Sequence, residues 1–124
     1  VTLNTLSKKQ RLVQASLFRE AFAQKNSVVG RFMVIWLRAG PDAALRLGVV
    51  TGKKVSRRAV DRNLARRRLR EIFRRHRAEL SGSLDLVIIA RRNLLPASPA
   101  EVEAEFLRLA KKAGLLPPEP EQKL

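Results

Sequence analysis

Residues 58 to 77 read RAVDRNLARRRLREIFRRHR: nine arginines in twenty positions, with Asp61 and Glu71 as the only acids. Like charge at this density destabilises a helix unless an apolar stripe anchors it and a polyanion meets its cations. The stripe is present. With about 100° between successive residues, Ala65, Leu69, Ile72, Phe73, His76 and Leu80 share one arc, wide enough to face a core. Asn63, Arg66, Arg67, Arg70, Arg74 and Arg77 occupy the adjacent arc, while Arg68 and Arg75 lie on the far flank. The spacing predicts a helix over residues 57–80, ended by the breaker SGS.

Two carboxylates cannot neutralise nine guanidinium groups through pairs one turn apart, so a merely solvated face is the weaker reading. Phosphates would relieve the repulsion, and the planar guanidinium fork engages them with paired hydrogen bonds. The charge is also focused. Of the net +15, residues 53–77 carry +10, residues 1–52 carry +6 and residues 78–124 carry −1. A localised basic surface of this kind points to nucleic acid. An anionic membrane is the second candidate, but no run of eighteen apolar residues is present to span one.

A chain of 124 residues, 45% of them hydrophobic, supports one domain with a modest core. Without cysteine it has neither disulfides nor thiolate metal ligands. The opening VTLNTLSKKQRL lacks the apolar stretch of a secretory signal, which makes a cytoplasmic protein the expectation.

Along the chain, residues 16–25 (SLFREAFAQK) read as a short helix with Ser16 as N-cap. Residues 31–40 (RFMVIWLRAG) and 45–52 (LRLGVVTG) read as strands, joined by a loop short enough for an antiparallel hairpin. After the arginine helix, LDLVIIARR is apolar on both faces and is placed inside the sheet. A last helix starts at Ser98 with Pro99 in its first position and ends in lysines before Gly114. Residues 1–114 form the expected domain, and the Pro- and Glu-rich residues 115–124 an expected disordered tail. The order α-β-β-α-β-α makes an α+β fold, with helices packed on a small central sheet. General rules favour a right-handed crossover through the arginine helix.

No helix-turn-helix, finger or zipper pattern accompanies the basic helix, so single-stranded RNA suits it better than duplex DNA. Phe18 and Phe22, four residues apart, share a helix face and by default belong to the core. Trp36, the single tryptophan, has the parity of Phe32 and Val34 and is either core or a stacking platform for bases. His76 falls inside the apolar stripe and reads as a structural, hydrogen-bonded histidine. Asp61 and Glu71 read as partners of nearby arginines, Glu71 of Arg67 or Arg75. No clustered carboxylates, nucleophile–histidine set or phosphate-cradling glycine loop is visible, so no catalytic or metal-ligating residue is assigned.

The run LRLGVVTGKKVSRRAVDRNLARRRLREIFR resembles the signature of the bacterial ribonuclease P protein subunit. Gly48, Lys53, Lys54, Arg62, Asn63, Arg66, Arg67, Arg70 and Glu71 fill matching positions. Leu64 stands where that pattern has an arginine, and Arg68 where it tends to be apolar. RLVQASLFREAF, RFMVIWL and DLVIIARR are similar to their counterparts, extending the likeness over residues 8–113. The resemblance implies a left-handed crossover, against the general rule. It implies an accessory to a catalytic RNA that cleaves precursor tRNA at its 5′ end, with Mg2+ bound mainly by the RNA. It implies RNA contacts from Arg58, Arg62, Asn63, Arg66, Arg67, Arg70 and Arg74. A sheet cleft for the 5′ leader falls on Phe18, Phe22 and Trp36, with Lys53 and Lys54 beside it. A ribosomal protein or RNA chaperone, and an autonomous nuclease, are the competing readings.

Overall fold

The computed structural model describes residues 10–12 and 14–116. Its elements run α1 (Ala15–Ala23), β1 (Ser27–Val29), β2 (Met33–Ala39), β3 (Leu47–Val50), α2 (Ala59–His76), β4 (Leu84–Ala90) and α3 (Pro99–Lys112). The α+β class holds, with one strand more than the sequence suggested. Three-residue β1 is too short to announce itself by alternation.

The strands are ordered β1-β2-β4-β3. This corrects the expected hairpin: β2 and β3 are not neighbours, because β4 lies between them, antiparallel to β2 and parallel to β3. The reason is burial. Val87 and Ile88 point to opposite faces and both are fully buried, so β4 gains most at the centre of the sheet. The chain between β2 and β3 instead turns away through Leu45, whose φ is 54°. The parallel pair β3 and β4 is joined through α2, making a β-α-β crossover.

One sheet face is roofed by α2 and α3. Ala65, Leu69, Ile72 and Phe73 of α2 are buried, as the stripe requires, against Ile35, Leu37, Leu86, Ile88 and Phe106. His76 is half-buried, and Leu80 is buried beyond a 3-10 turn over Arg77–Glu79. Truncating a phenylalanine packed like Phe73 costs about 3–5 kcal/mol. Phe32 also lies in this core, so it does not share the face of Val34 and Trp36. It precedes β2, where strand alternation does not apply, and its N–H donates to Glu105 Oε1 at 2.8 Å.

On the opposite face a smaller core joins Leu17 and Ala21 of α1 to Leu12 and Val87. That helix begins at Ala15 with Gln14 as its cap, in place of the expected Ser16, and no side-chain cap bond forms. In α3, Ser98 caps as expected: Glu101 N–H donates to Ser98 Oγ at 3.2 Å, and Ser98 N–H donates to Glu101 Oε1 at 3.0 Å. Gly114 ends this helix at φ 82°. Leu115, the first residue of the expected tail, is buried, and its carbonyl accepts from Ser81 N–H at 2.7 Å. The tail expectation for residues 117–124 lies outside the described residues.

Candidate nucleic-acid interface

The nine-residue α1 is too short to cover its side of the sheet. Cross-strand register places Ser27, Trp36, Val87 and Gly48 in one row, and Val29, Val34, Ile89 and Val50 in the next. Helix α1 lies over the first row. Phe18 packs against Gly48 so closely that a Cβ there would sit 2.4 Å from Phe18 Cζ. Phe22 meets Trp36 edge-on, with ring centroids 5.4 Å apart at 90°. All three aromatics are half-buried, and Trp36 Nε1 is buried without a partner among the described residues. The second row is less covered: Val50 packs at the margin of the α1 cluster, Val34 and Ile89 are half-buried and Val29 is exposed.

This open strip ends in cations. Lys53 and Lys54 are exposed in the turn after β3. Lys54 lines a groove of about 420 Å³ with Ile89, Ala90, Arg91, Arg92 and Asn93. The structure thus brings Lys54 to the end of β4. Arg91 and Arg92 were read only as the end of a strand. Their place beside Lys54 depends on β4 being central, which the sequence pattern did not determine.

Helix α2 continues the cationic surface round the β3 edge. Arg66 bridges the two, donating to Thr51 Oγ1 just past β3 and to Asn63 Oδ1. Arg62 donates to the carbonyls of Ser56 and Arg57, each at 3.0 Å, and so keeps its charge unpaired. Arg67 and Arg70 are exposed, and no ion pair joins them or Arg58 to a described residue. Loss of some solvent around its guanidinium and the positive charges of Arg11 and Arg66 push the Arg70 pKa below the usual value, although the residue as a whole is exposed. Arg11 is a cation the sequence reading passed over. A bridge from Arg11 to Leu47 sets it beside β3 and near α2.

The far end of α2 differs. Glu71 accepts from Arg74 Nε at 3.1 Å and from its Nη2, and Arg75 Nε stands 3.9 Å away. The Glu71–Arg75 expectation thus holds at long range, whereas Arg67 is not its partner. Arg75 also reaches Glu103 at 3.2 Å. His76 is structural, as expected: its ring nitrogens meet Glu79 and Glu103, and its ring lies 6.4 Å from that of Phe106. Burial disfavours its charge, but the two carboxylates outweigh that and raise its pKa above the ordinary histidine value. Asp61 takes its hydrogen bond from Ser56 Oγ at 2.8 Å, in place of the expected arginine. Among the described residues, no group of three or more His, Cys, Asp or Glu side chains is placed to hold a metal ion. No helix among them is long and apolar enough to cross a membrane.

Half-buried aromatics thus lie beside an open sheet strip bordered by cations without ion pairs among the described residues. Comparison with known proteins shows the family of the chain. The family model described as Ribonuclease P matches residues 6–114. The ribonuclease P protein component of Desulfosudis oleivorans is 32% identical, the match covering 92% of this chain and 93% of that one. That of Ralstonia pickettii is 37% identical over 89% of this chain and 77% of its own length. Among solved structures, the RNase P protein of Thermotoga maritima superposes with a TM-score of 0.73 at 29% identity, covering 82% of this chain and 96% of that one. The Staphylococcus aureus RNase P protein shares the fold, with a TM-score of 0.77 at 24% identity over 87% and 98% of the two chains.

Proposed function

The chain belongs to the ribonuclease P protein family, and from that premise we propose how its two surfaces divide the work. The enzyme is an RNA-catalysed endoribonuclease of tRNA 5′ maturation, and this chain is its protein component. In our reading, α2 binds the catalytic RNA through Arg58, Arg62, Asn63, Arg66, Arg67 and Arg70, with Arg74 at the margin because Glu71 already neutralises it. The open sheet strip receives the single-stranded 5′ leader of precursor tRNA. Its bases stack on Phe18, Phe22 and Trp36, and its phosphates meet Lys53, Lys54 and the Arg91–Arg92 pair. Bond scission falls to the RNA, with Mg2+ held mainly there. The left-handed sense of the β3-α2-β4 crossover belongs to the same reading, because its hand decides which sheet face α2 covers.

The observation that carries this reading is continuity. Arg66 reaches Thr51 at the end of β3, which sets the cations of α2 against the β3 edge of the face that α1 leaves open. A folded RNA and the strand leading from its substrate can then be held on one molecule at once.

The test is reconstitution with the RNA subunit at low magnesium. Added protein stimulates cleavage of leader-bearing precursor tRNA, and absence of stimulation rejects the reading. With about six to ten phosphates neutralised, log affinity for the RNA falls steeply against log salt. Phe22→Ala weakens binding of leader-bearing substrate by about 1–3 kcal/mol, the worth of one stacked base. The same variant leaves a leaderless tRNA and the RNA subunit bound as before.

A further inference from the structure

Helix α1 carries the aromatic wall of the proposed leader cleft, yet only Leu17 and Ala21 of its nine residues are buried. At about 100° per residue, these two face the sheet. Phe18 and Phe22 then lie on one flank, and Glu20 and Gln24 on the other. A footing of two side chains on one line resists translation better than rolling about the helix axis. Any roll would lift or lower both phenylalanines together.

The polar flank is pinned to the sheet at three points. Gln24 Nε2 donates to the Ala39 carbonyl at 2.8 Å, and Ala39 N–H donates to Gln24 Oε1 at 2.7 Å. The amide thereby imitates one more strand residue beside β2. Arg38 Nη2 donates to Glu20 Oε1 at 3.1 Å. Arg38 is itself immobile: its side chain is only 3% exposed and is held by Asp42 and Asp85, each at 2.8 Å. Asp85 is fully buried and accepts in turn from Arg46 and from the backbone N–H groups of Ala44 and Arg46. The anchor is thus tied to β2, to β4 and to the loop that leads from β2 to β3.

We propose that the Glu20 and Gln24 clasp on Arg38 and Ala39 is a positioning device: it fixes the roll of α1 and thereby sets the height of Phe18 and Phe22 above the sheet. Glu20 and Gln24 control leader affinity without touching RNA. The proposal rests on the leader-cleft reading above, and its test separates the two.

The variant is Glu20→Ala/Gln24→Ala, at two exposed positions where alanine preserves the helix. In the reconstituted holoenzyme, KM for leader-bearing precursor tRNA rises about tenfold, in keeping with the sensitivity of such sites to small misplacements. The kcat, the KM for a substrate without leader, and affinity for the RNA subunit stay unchanged. Emission of Trp36, the only tryptophan, shifts as Phe22 leaves its edge-on position. Glu20→Gln with Gln24 intact, which keeps an oxygen for Arg38, restores both readouts. Phe22→Ala is the control. If that control raises KM in a leader-dependent way while the double variant does not, the clasp is overturned and the cleft stands. If Phe22→Ala has no leader effect, the cleft reading falls and takes the clasp's role with it. An unchanged Trp36 emission in the double variant overturns the positioning claim in either case.

Discussion

The two ends of α2 carry the same residue type in different electrical surroundings. From Arg58 to Arg70 the guanidinium groups meet carbonyls, a hydroxyl and an amide, or no described partner at all. From Arg74 to His76 every cation meets a carboxylate: Glu71 from the same helix, Glu79 from the following turn and Glu103 from α3. The C-terminal cations also lie where the helix dipole favours positive charge. Counting arginines therefore overstates the cations available to a partner. The unpaired ones gather at the end of α2 that adjoins β3 and the open sheet strip.

This contrast can be broken most forcefully at the unpaired end. Arg67→Ala with Arg70→Ala should lower affinity for the RNA subunit by about 3 kcal/mol, near the lower end for two charge-assisted hydrogen bonds. The salt slope should fall by about two, and the unfolding midpoint should stay in place; filter binding across a salt series and a urea melt read these. Loss of folding in that variant would mean the two side chains face inward. At the neutralised end, Arg74→Ala should cost less than about 1 kcal/mol of RNA affinity, since its charge is already satisfied by Glu71. Glu71→Gln probes the same pair from its other member. Releasing Arg74 should tighten RNA binding a few-fold and steepen the salt slope by about one.

The smallest effect concerns His76, and its sign follows from linkage. Its folded pKa is raised by Glu103 and Glu79. The stabilisation it brings is therefore complete below the unfolded value of about 6.5 and is lost as pH rises through the folded value. Urea melts of His76→Gln should show the larger deficit against the unmodified chain at pH 5.5 and a smaller one at pH 8.5. RNA affinity should barely change at either pH. An RNA affinity that followed His76 would place the neutralised end in the interface after all.

Parts of this were legible in one dimension because they depend on local geometry. The stripe of Ala65, Leu69, Ile72 and Phe73, and the capped start of α3 at Ser98, follow from helical pitch and from which side chains satisfy free N–H groups. Glu71 was seen to need an arginine, but choosing among Arg67, Arg74 and Arg75 depends on rotamers that spacing does not determine. Phe32 was placed on the wrong face because alternation was extended past the true start of β2. Asp85, which strand periodicity gave no reason to single out, is the buried centre to which Arg38 and Arg46 are tied. A carboxylate of this kind is stable only with partners, and those partners stand far from it in the chain.

By itself the sequence determined that a basic helix is anchored by one apolar stripe, that its charge exceeds any internal neutralisation, and which residues match the family pattern. Periodicity and charge balance act over a few turns, so they can be read without coordinates. Tertiary structure alone decided that β4 separates β2 from β3, that α1 leaves a strip of sheet uncovered, and which arginines stay unpaired. Those outcomes depend on contacts between segments tens of residues apart. Their energies are settled only when every strand and helix competes for the same buried surface.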